Sequence, residues 1–478
     1  MQRNKTLPVK AKLYSHQVAA VEFATDVLGY GARDPTSKAV AVLAEMGTGK
    51  SLITIALAGR LTTRGEIKKL LVIAPKSIVG VWEAEFAKFA DFDYCLEVLE
   101  GSLAEKARAL DRLDRGAGLK VAVVNYESAW RMEAELAAWQ PCMIVCDESS
   151  KIKNPQAKQS KALHRLGRQS KHNVILTGTP VTNNPLDFYS QYKFLDEKIF
   201  GTSFYVFRAR YAILGGYGNY QIVGYKNLDD LTQKAHSIAY RITKVEALDL
   251  PDKVDITRRI ALETKAAEIY RRIERESVAE LSQGEVTTPN VLTKLLRLSQ
   301  VTGGYLRGDD GERAECVSAA KLTALIDIID ECLDAGKKLV IFARFVPEIE
   351  AIARMLTSSK IGYALIKGDV KDRGSQVAKF QTEPDCRAFV GQLQTTGMGL
   401  TLTAADTAVF YSLSYNFADY EQAKARIHRI GQQNKCTYIH LVAKGTIDEE
   451  VMAALAAKKN IADLVVDNWR SLFKTGGN

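Results

Sequence analysis

The sequence predicts an α/β protein built from two parallel-sheet halves. Short apolar runs alternate along the chain with segments of helix length, which is the order of a βαβ series. These runs are uniformly apolar, as expected of parallel strands covered on both faces. The series occurs twice in the 478 residues, and a chain of this length holds two or three domains.

The first series follows a polar opening segment and one helix. Its predicted strands are residues 39–44, 70–74, 121–124, 143–146 and 173–176. From Phe194 to about Lys253 the alternation of predicted strands and helices is interrupted, because this stretch is rich in aromatic residues and glycine and then becomes basic. We interpret it as an insertion in the first half.

The second series follows a mostly helical stretch, residues 258–335. Its predicted strands are residues 339–342, 363–366, 388–390, 408–411 and 438–442, and an amphipathic helix at about 447–457 ends it. We therefore divide the chain into an N-terminal lobe with the insertion (1–245), a connector with a helical protrusion (246–335) and a C-terminal lobe with the terminal helix (336–478).

Composition and charge give only broad limits. The net charge of +9 hints at an anionic partner, although a charge of this size mostly reflects a solvated surface. The seven cysteines include no C-x-x-C pair, so we expect no zinc site and a reducing compartment. The N-terminus lacks the apolar stretch of a signal peptide, and no apolar run approaches the ~18 residues of a membrane span. We expect a cytoplasmic protein without a membrane partner.

A glycine-rich stretch follows the first predicted strand. It reads Ala44-Glu45-Met46-Gly47-Thr48-Gly49-Lys50-Ser51, here called the phosphate loop, and a helix-compatible run comes after it. Small residues let backbone N–H groups face phosphates, and the helix N-terminus adds positive potential. Lys50 would reach the β- and γ-phosphates of a nucleoside triphosphate, and Ser51 would hold Mg²⁺. The alternative is a tight turn before a helix.

Two adjacent carboxylates, Asp147 and Glu148, end the fourth predicted strand of the first half. The carboxyl end of a strand faces the crevice where α/β sheets bind ligands. Asp147 would hold Mg²⁺ through water, and Glu148 would orient or deprotonate the attacking water. The alternative is a solvated pair on a loop. We call these two residues the carboxylate pair.

Two further segments carry side chains suited to phosphate chemistry. Thr177-Gly178-Thr179-Pro180, the TGTP loop, follows a predicted strand, where its hydroxyls would sense the γ-phosphate; a plain turn is the alternative. Arg426 and Arg429, the arginine pair, are three residues apart on a predicted helical face and would clamp a γ-phosphate; a solvated face is the alternative. For His428 between them, packing or a hydrogen bond is favoured over a metal or acid–base role.

The order of these motifs resembles the Snf-type (Swi/Snf-like) double-stranded-DNA translocases of helicase superfamily 2, over nearly the whole chain. The stretches that carry the resemblance, besides the phosphate loop, are Gln17 in a Leu-x-x-x-Gln, residues 71–77 with Trp82, Glu85 and Phe86, residues 125–127, 147–154, 176–180, 241–244, 250–253, 338–343, 397–406, 428–432 and 444–449. The Lys-Ile-Lys-Asn at 151–154 is typical of this branch. Short insertions make the chain similar to compact bacterial or phage members.

The resemblance implies two RecA-like lobes, doubly wound parallel sheets with helical insertions between them, and ATP with Mg²⁺ between the lobes. It implies that Gln17 reads adenine, that backbone from Met46 to Gly49 with Lys50 and Ser51 cradles the phosphates, and that the arginine pair completes the site when the lobes close. Double-stranded DNA would contact Ser77, Thr395 and Thr396. DNA-bound proteins are a further expected partner, and a monomer is the expected state.

Three positions depart from the family pattern. Ser150 stands where the family usually has His, Ala425 replaces the usual Asp, and Tyr415 lies where many members have Trp. Tyr415 is expected either to stack on DNA or to pack as an interior aromatic. The resulting hypothesis is a DNA-dependent ATPase that moves on duplex DNA. The alternatives are a strand-separating DNA or RNA helicase and a non-catalytic DNA-binding scaffold on a helicase fold.

Overall fold

A computed structural model of the protein describes residues 7–31, 36–182, 184–216, 218, 221–248, 250–283, 288–306, 314–368, 372–396 and 400–462, with side chains described except at 276–292, 395–396 and 460–462. The described residues fall into two compact units. One comprises the described residues up to 248 together with residues 458–462, and the other comprises those from 250 to 457. The finer three-part division of the sequence stays a prediction.

The first unit is built on a parallel sheet. Its strands are β1 (Ala39–Ala44), β2 (Lys69–Ala74), β3 (Tyr94–Val98), β4 (Leu119–Asn125), β5 (Met143–Asp147), β6 (His172–Leu176) and β9 (Ala239–Ile242), in the order β3-β4-β2-β5-β6-β1-β9. Each neighbouring pair runs parallel. The central strands are buried along nearly their whole length, which explains why they contain almost no polar residues. The strands predicted in this half are confirmed.

Helices cover the faces of this sheet. They are α1 (Ser15–Val27), α2 (Lys50–Thr63), α3 (Val79–Phe89), α4 (Leu103–Asp114), α5 (Tyr126–Arg131), α6 (Glu133–Trp139), α7 (Lys158–Gln169), α8 (Phe188–Leu195), α9 (Glu197–Phe200), α10 (Phe204–Tyr211), α11 (Leu228–His236) and α12 (Lys244–Ala247). The aromatic insertion begins at the end of α8 and holds α9 to α11 and an antiparallel hairpin of β7 (Ala212–Gly215) and β8 (Gln221–Tyr225). It also returns to the sheet as β9, which the sequence did not predict.

The second unit is built on another parallel sheet. Its strands are β10 (Lys253–Ile260), β13 (Leu339–Ala343), β14 (Gly362–Ile366), β15 (Cys386–Gln392), β16 (Thr407–Phe410) and β17 (Cys436–Ala443), in the order β10-β17-β16-β13-β15-β14. The strands predicted for the second series are confirmed to within three residues at their ends. Strand β10 was not predicted, because its polar sequence suits an edge strand with exposed side chains.

The other elements of the second unit are mostly helical. They are α13 (Thr264–Gln283), α14 (Thr288–Thr302), α15 (Ala320–Asp334), α16 (Val346–Ser358), α17 (Arg373–Thr382), α18 (Leu393–Thr396), α19 (Phe417–Lys424) and α20 (Ile447–Ala462), with β11 (Tyr305–Leu306) and β12 (Glu315–Cys316) forming a small antiparallel pair. Residues 458–462 of α20 belong to the first unit. The fold class is therefore the predicted one, with two doubly wound parallel-sheet lobes. Among the described residues, no helix combines the length and apolar character needed to cross a bilayer.

A buried carboxylate, Glu348, lies at the start of α16 in the second unit. It accepts hydrogen bonds from Ser412 Oγ at 2.5 Å and from the backbone N–H groups of Phe345 at 3.1 Å and Arg344 at 3.2 Å. Burial raises its pKa to about 7, even though these hydrogen bonds favour the charged form. The side chain is therefore a source of pH-dependent stability.

Candidate active site

Two glycines give the phosphate loop its tight backbone turns. Gly47 and Gly49 have φ angles of 87° and 91°, in the left-handed region that glycine enters at low cost. Gly49 is the residue before α2, so the first N–H groups of the helix open toward the loop. Ser51 lies in the first turn of that helix. The sequence-predicted order of strand, glycine loop and helix is thus present.

Lys50 joins the loop to the carboxylate pair. Its Nζ donates to the carbonyl of Ala44 at 3.2 Å and lies 3.8 Å from Glu148 Oε1. The two side chains are only 10% and 9% exposed, so the ion pair is shielded from water. Two predicted catalytic residues that are 98 positions apart in the sequence therefore meet at one point.

Asp147 is the last residue of β5, and both of its carboxylate oxygens accept hydrogen bonds. Trp82 Nε1 donates to Oδ2 at 3.1 Å, and the backbone N–H of Glu148 donates to Oδ1 at 2.9 Å. Burial first and repulsion by Glu148 second raise the pKa of Asp147, while Lys50 and Trp82 oppose the rise. Two carboxylates so close together are suited to a positively charged ligand. Trp82 belongs to one of the motifs noted in the sequence, but its hydrogen bond to Asp147 was not predicted.

Glu148 has an unusual backbone conformation. Its φ of 52° lies in the left-handed region, which costs a non-glycine residue roughly 1 kcal/mol. The chain is anchored just before it, where Tyr126 donates its hydroxyl to the carbonyl of Asp147 at 2.7 Å. Just after it, the carbonyl of Glu148 accepts from the backbone N–H of Lys151 at 3.0 Å, and Ser149 is fully buried. Such strain persists only where the surroundings fix it, and here it turns the carboxylate toward Lys50.

Gln17 reaches the phosphate loop from α1. Its Nε2 donates to the carbonyl of Thr48 at 3.1 Å, and His16 Nε2 lies 2.9 Å from the same oxygen. A Cβ at Gly49 would lie 2.3 Å from Gln17 Nε2, and the φ of 91° at this position favours glycine. The structure thus brings Gln17 to the loop, whereas its role in reading adenine stays a prediction. His16 was not predicted as a loop contact.

The TGTP loop packs against the phosphate loop. Strand β6 lies between β5 and β1, so its carboxyl end lies between the carboxylate pair and the phosphate loop. A Cβ at Gly178 would lie 3.3 Å from backbone atoms of residues 44–46. Buried Arg241 of β9 donates to the carbonyl of Leu43 at 3.1 Å and to that of Gly178 at 3.5 Å. Close packing and the hydrogen bonds of the Arg241 guanidinium therefore hold the two loops together.

In the second unit the arginine pair converges on one backbone oxygen. Arg426 Nη1 donates to the carbonyl of Leu400 at 3.3 Å, and Arg429 Nη1 donates to the same oxygen at 3.1 Å. The prediction of a shared helical face is wrong, because α19 ends at Lys424 and the pair lies in the turns that follow. Gln432 stabilises those turns by donating to the carbonyls of Ala405 and Ile427 at 2.8 and 3.1 Å.

His428 has the hydrogen-bonding role that the sequence favoured. It is buried, and its Nε2 lies 2.9 Å from the carbonyl of Pro251. A histidine buried in this way and bonded to a carbonyl is part of the core of the second unit.

The predicted DNA contacts are described only in part. Ser77 lies in a short 3₁₀ helix directly after β2, and Tyr415 lines a cavity of about 350 Å³ with Arg344 and residues of α14. The side chains of Thr395 and Thr396, and residues 397–399 of the same motif, lie outside the described residues. The DNA contacts stay predictions.

Two protein-family descriptions and several known proteins match this chain. The family described as SNF2-related domain matches residues 17–303, and the helicase conserved C-terminal domain matches residues 320–431. A "DNA repair and recombination protein RAD54-like" of Drosophila persimilis is 27% identical over 505 residues, covering 90% of this chain and 61% of the relative. "TATA-binding protein-associated factor MOT1" of Saccharomyces cerevisiae is 27% identical over 497 residues, covering 89% of this chain and 26% of the relative.

A solved structure titled "Sulfolobus solfataricus SWI2/SNF2 ATPase core in complex with dsDNA" is 26% identical, with coverage of 98% of this chain and 96% of that one and a TM-score of 0.45. The chain spans about three fifths of the length of the RAD54-like relatives it matches.

Proposed function

The chain belongs to the SNF2-related domain family, and on that premise we propose that it is an ATP-driven motor on double-stranded DNA. It would hydrolyse ATP to translocate on DNA or to remodel DNA–protein complexes. The observation that carries this proposal is the meeting of Lys50 with Glu148 at 3.8 Å, beside a glycine loop with left-handed turns. A lysine, a loop of N–H groups and buried carboxylates are the parts that phosphoryl transfer requires.

The donor set fits a divalent cation. Asp147 is a buried carboxylate whose raised pKa reflects burial and the repulsion of its neighbour, and a cation would relieve that repulsion. Ser51 and Asp147 would hold Mg²⁺, and the ion would neutralise charge on the phosphates. Hydroxyl and carboxylate oxygens are the ligands that Mg²⁺ prefers.

The roles of the remaining side chains follow from their chemistry. Lys50 binds the β- and γ-phosphates, and Glu148 orients the attacking water and takes its proton. Gln17, next to the phosphate loop, reads adenine. The arginine pair supplies charge to the γ-phosphate when the lobes close, which makes hydrolysis depend on closure.

Double-stranded DNA as the partner is supported by the relatives and by charge. The RAD54-like relatives are DNA repair and recombination proteins, and this chain carries a net charge of +9. Phosphate contacts dominate such binding, so affinity should fall steeply with salt and depend little on base sequence.

The test is an ATPase titration with duplex DNA, single-stranded DNA and RNA. We expect a low basal rate that duplex DNA stimulates most strongly. Lys50→Ala and Glu148→Gln should lose this stimulated rate, whereas Lys198→Ala, which removes an exposed lysine of the same unit, should keep it. Stimulation by RNA alone would contradict the proposal. Separation of a forked duplex at low protein excess would favour a strand-separating helicase, and nucleotide binding without any hydrolysis would favour a scaffold.

A further inference from the structure

We propose that Gln191 is a positioning residue that, through Ser149, holds the carboxylate pair in register with the TGTP loop. The inference rests on the proposed ATPase function of this site and adds to it a polar connection between its two loops. None of the motifs recognised in the sequence contains Gln191, which lies in the middle of α8.

The connection consists of hydrogen bonds on one amide group. Ser149 Oγ donates to Gln191 Oε1 at 2.7 Å. The Nε2 of Gln191 donates to the carbonyl of Pro180 at 2.7 Å and to that of Asp187 at 2.8 Å. Both N–H groups and the oxygen of the amide are therefore used, and their partners fix the amide orientation.

The position of this amide in the protein argues for more than a satisfied polar group. Ser149 and Gln191 have no exposed surface. Around them α8 buries Phe188, Tyr192 and Leu195 in the core. An apolar side chain at this position would avoid the cost of desolvating an amide. The buried polar pair therefore fixes the placement of the segments it joins, which apolar packing alone would not specify.

The two ends of the connection both reach the nucleotide machinery. Ser149 directly follows Glu148, whose backbone lies in the left-handed region. Pro180 ends the TGTP loop, which lies so close to the phosphate loop that a Cβ at Gly178 would be 3.3 Å from backbone atoms of residues 44–46. One path thus runs from Glu148 through Ser149, Gln191 and the TGTP loop to the residues that surround Lys50.

This geometry assigns Gln191 the task of fixing the distance between the general base and the phosphates. Without the amide, Ser149 loses its side-chain partner, and the strained conformation of Glu148 is then held only by local bonds such as that from the Lys151 N–H to its carbonyl at 3.0 Å. Binding of ATP depends mainly on the phosphate loop and should survive. Hydrolysis needs Glu148 in place and should fall, because small displacements of reacting groups slow catalysis strongly.

The test uses Gln191→Leu, Ser149→Ala and the double variant, with Ser160→Ala as the matched control. Ser160 is an equally buried serine that donates to the carbonyl of Ile152 at 3.2 Å, close to the connection but outside it. The double variant removes the amide and the hydroxyl together, so neither is left facing the other unpaired. Stability is measured by denaturant unfolding, and kcat and KM are measured with duplex DNA.

We expect kcat to fall by about 10- to 100-fold with KM for ATP changed less than about twofold. The double variant should be no slower than Gln191→Leu, because the two residues act as one unit. Ser160→Ala should keep the wild-type kcat. An equal loss in Ser160→Ala, additive losses in the double variant, or a kcat that follows only the folded fraction would overturn the proposal.

Amide hydrogen exchange gives a readout that does not need turnover. In Gln191→Leu, exchange should accelerate in residues 147–150 and in residues 177–182 together, and in Ser160→Ala in neither. Acceleration in one segment without the other would overturn the connection even if the chain showed no DNA-dependent ATPase. Failure of the proposed function would appear separately, as a wild-type protein without stimulated hydrolysis.

Discussion

Removing the indole N–H of Trp82 isolates one contact of the carboxylate pair. Trp82→Phe keeps a buried aromatic ring and deletes the 3.1 Å hydrogen bond to Asp147 Oδ2. A hydrogen bond to a charged group contributes about 1.5–3 kcal/mol. Because about 1.4 kcal/mol corresponds to a tenfold change in rate, kcat/KM for ATP should fall by roughly 10- to 100-fold. The loss assumes that the bond is needed to hold Asp147 during hydrolysis.

The chain offers a matched control for the smaller ring. Trp139 is also buried, and its Nε1 donates at the same distance of 3.1 Å to the carboxylate of Asp114, away from the phosphate loop. Trp139→Phe therefore removes the same atoms and the same kind of bond. Steady-state ATPase kinetics with duplex DNA and denaturant unfolding should be measured on both variants. If Trp82→Phe keeps kcat/KM within about twofold of Trp139→Phe, the bond does not position Asp147.

Three further changes test other parts of the account. Gly178→Ala places a methyl group 3.3 Å from the phosphate loop and should weaken binding of a fluorescent ATP analogue about tenfold, whereas Gly80→Ala, which meets no atom within 4 Å, should not. Arg429→Lys keeps the charge but loses the planar fork, so kcat on duplex DNA should fall by about 100-fold or more while ATP still binds. Glu348 has a folded pKa of about 7 against 4.5 unfolded, so its stabilising contribution is complete below 4.5 and is lost as pH rises through 7. In Glu348→Gln, the free energy of unfolding should therefore depend less on pH over this range, by at most about 3 kcal/mol. Denaturant unfolding from pH 4 to 8 measures this dependence, and a variant with the wild-type slope of free energy against pH would show that the assignment is wrong.

Strands covered on both faces were predictable, and edge strands were not. Buried parallel strands such as β1 and β5 are uniformly apolar, so composition alone marks them. Strand β10 has four charged residues among its eight and no buried residue, and β3 is half exposed along its length. Both resemble loop or helix when only the sequence is considered.

At the candidate site, features formed by neighbouring residues were predictable, whereas contacts between residues far apart in the sequence were not. The phosphate loop was predictable because its chemistry lies in eight consecutive residues. The contacts of Trp82 with Asp147 and of Ser149 with Gln191 join residues 65 and 42 positions apart, and that of Arg241 with Leu43 spans 198. Only the fold brings these residues together. The two arginines converge on the carbonyl of Leu400, which was not predicted, and the helix predicted for them ends at Lys424. Their role at a γ-phosphate stays a prediction.

Displacement of a third DNA strand from a duplex is the most direct test of the motor. A protein that translocates on double-stranded DNA removes such a strand without separating the duplex beneath it. We expect wild-type protein to displace the strand only with ATP and Mg²⁺, and Glu148→Gln to bind the same DNA without displacing it. Equal displacement by both proteins, or none by a wild-type protein that hydrolyses ATP on duplex DNA, would contradict ATP-driven movement along double-stranded DNA.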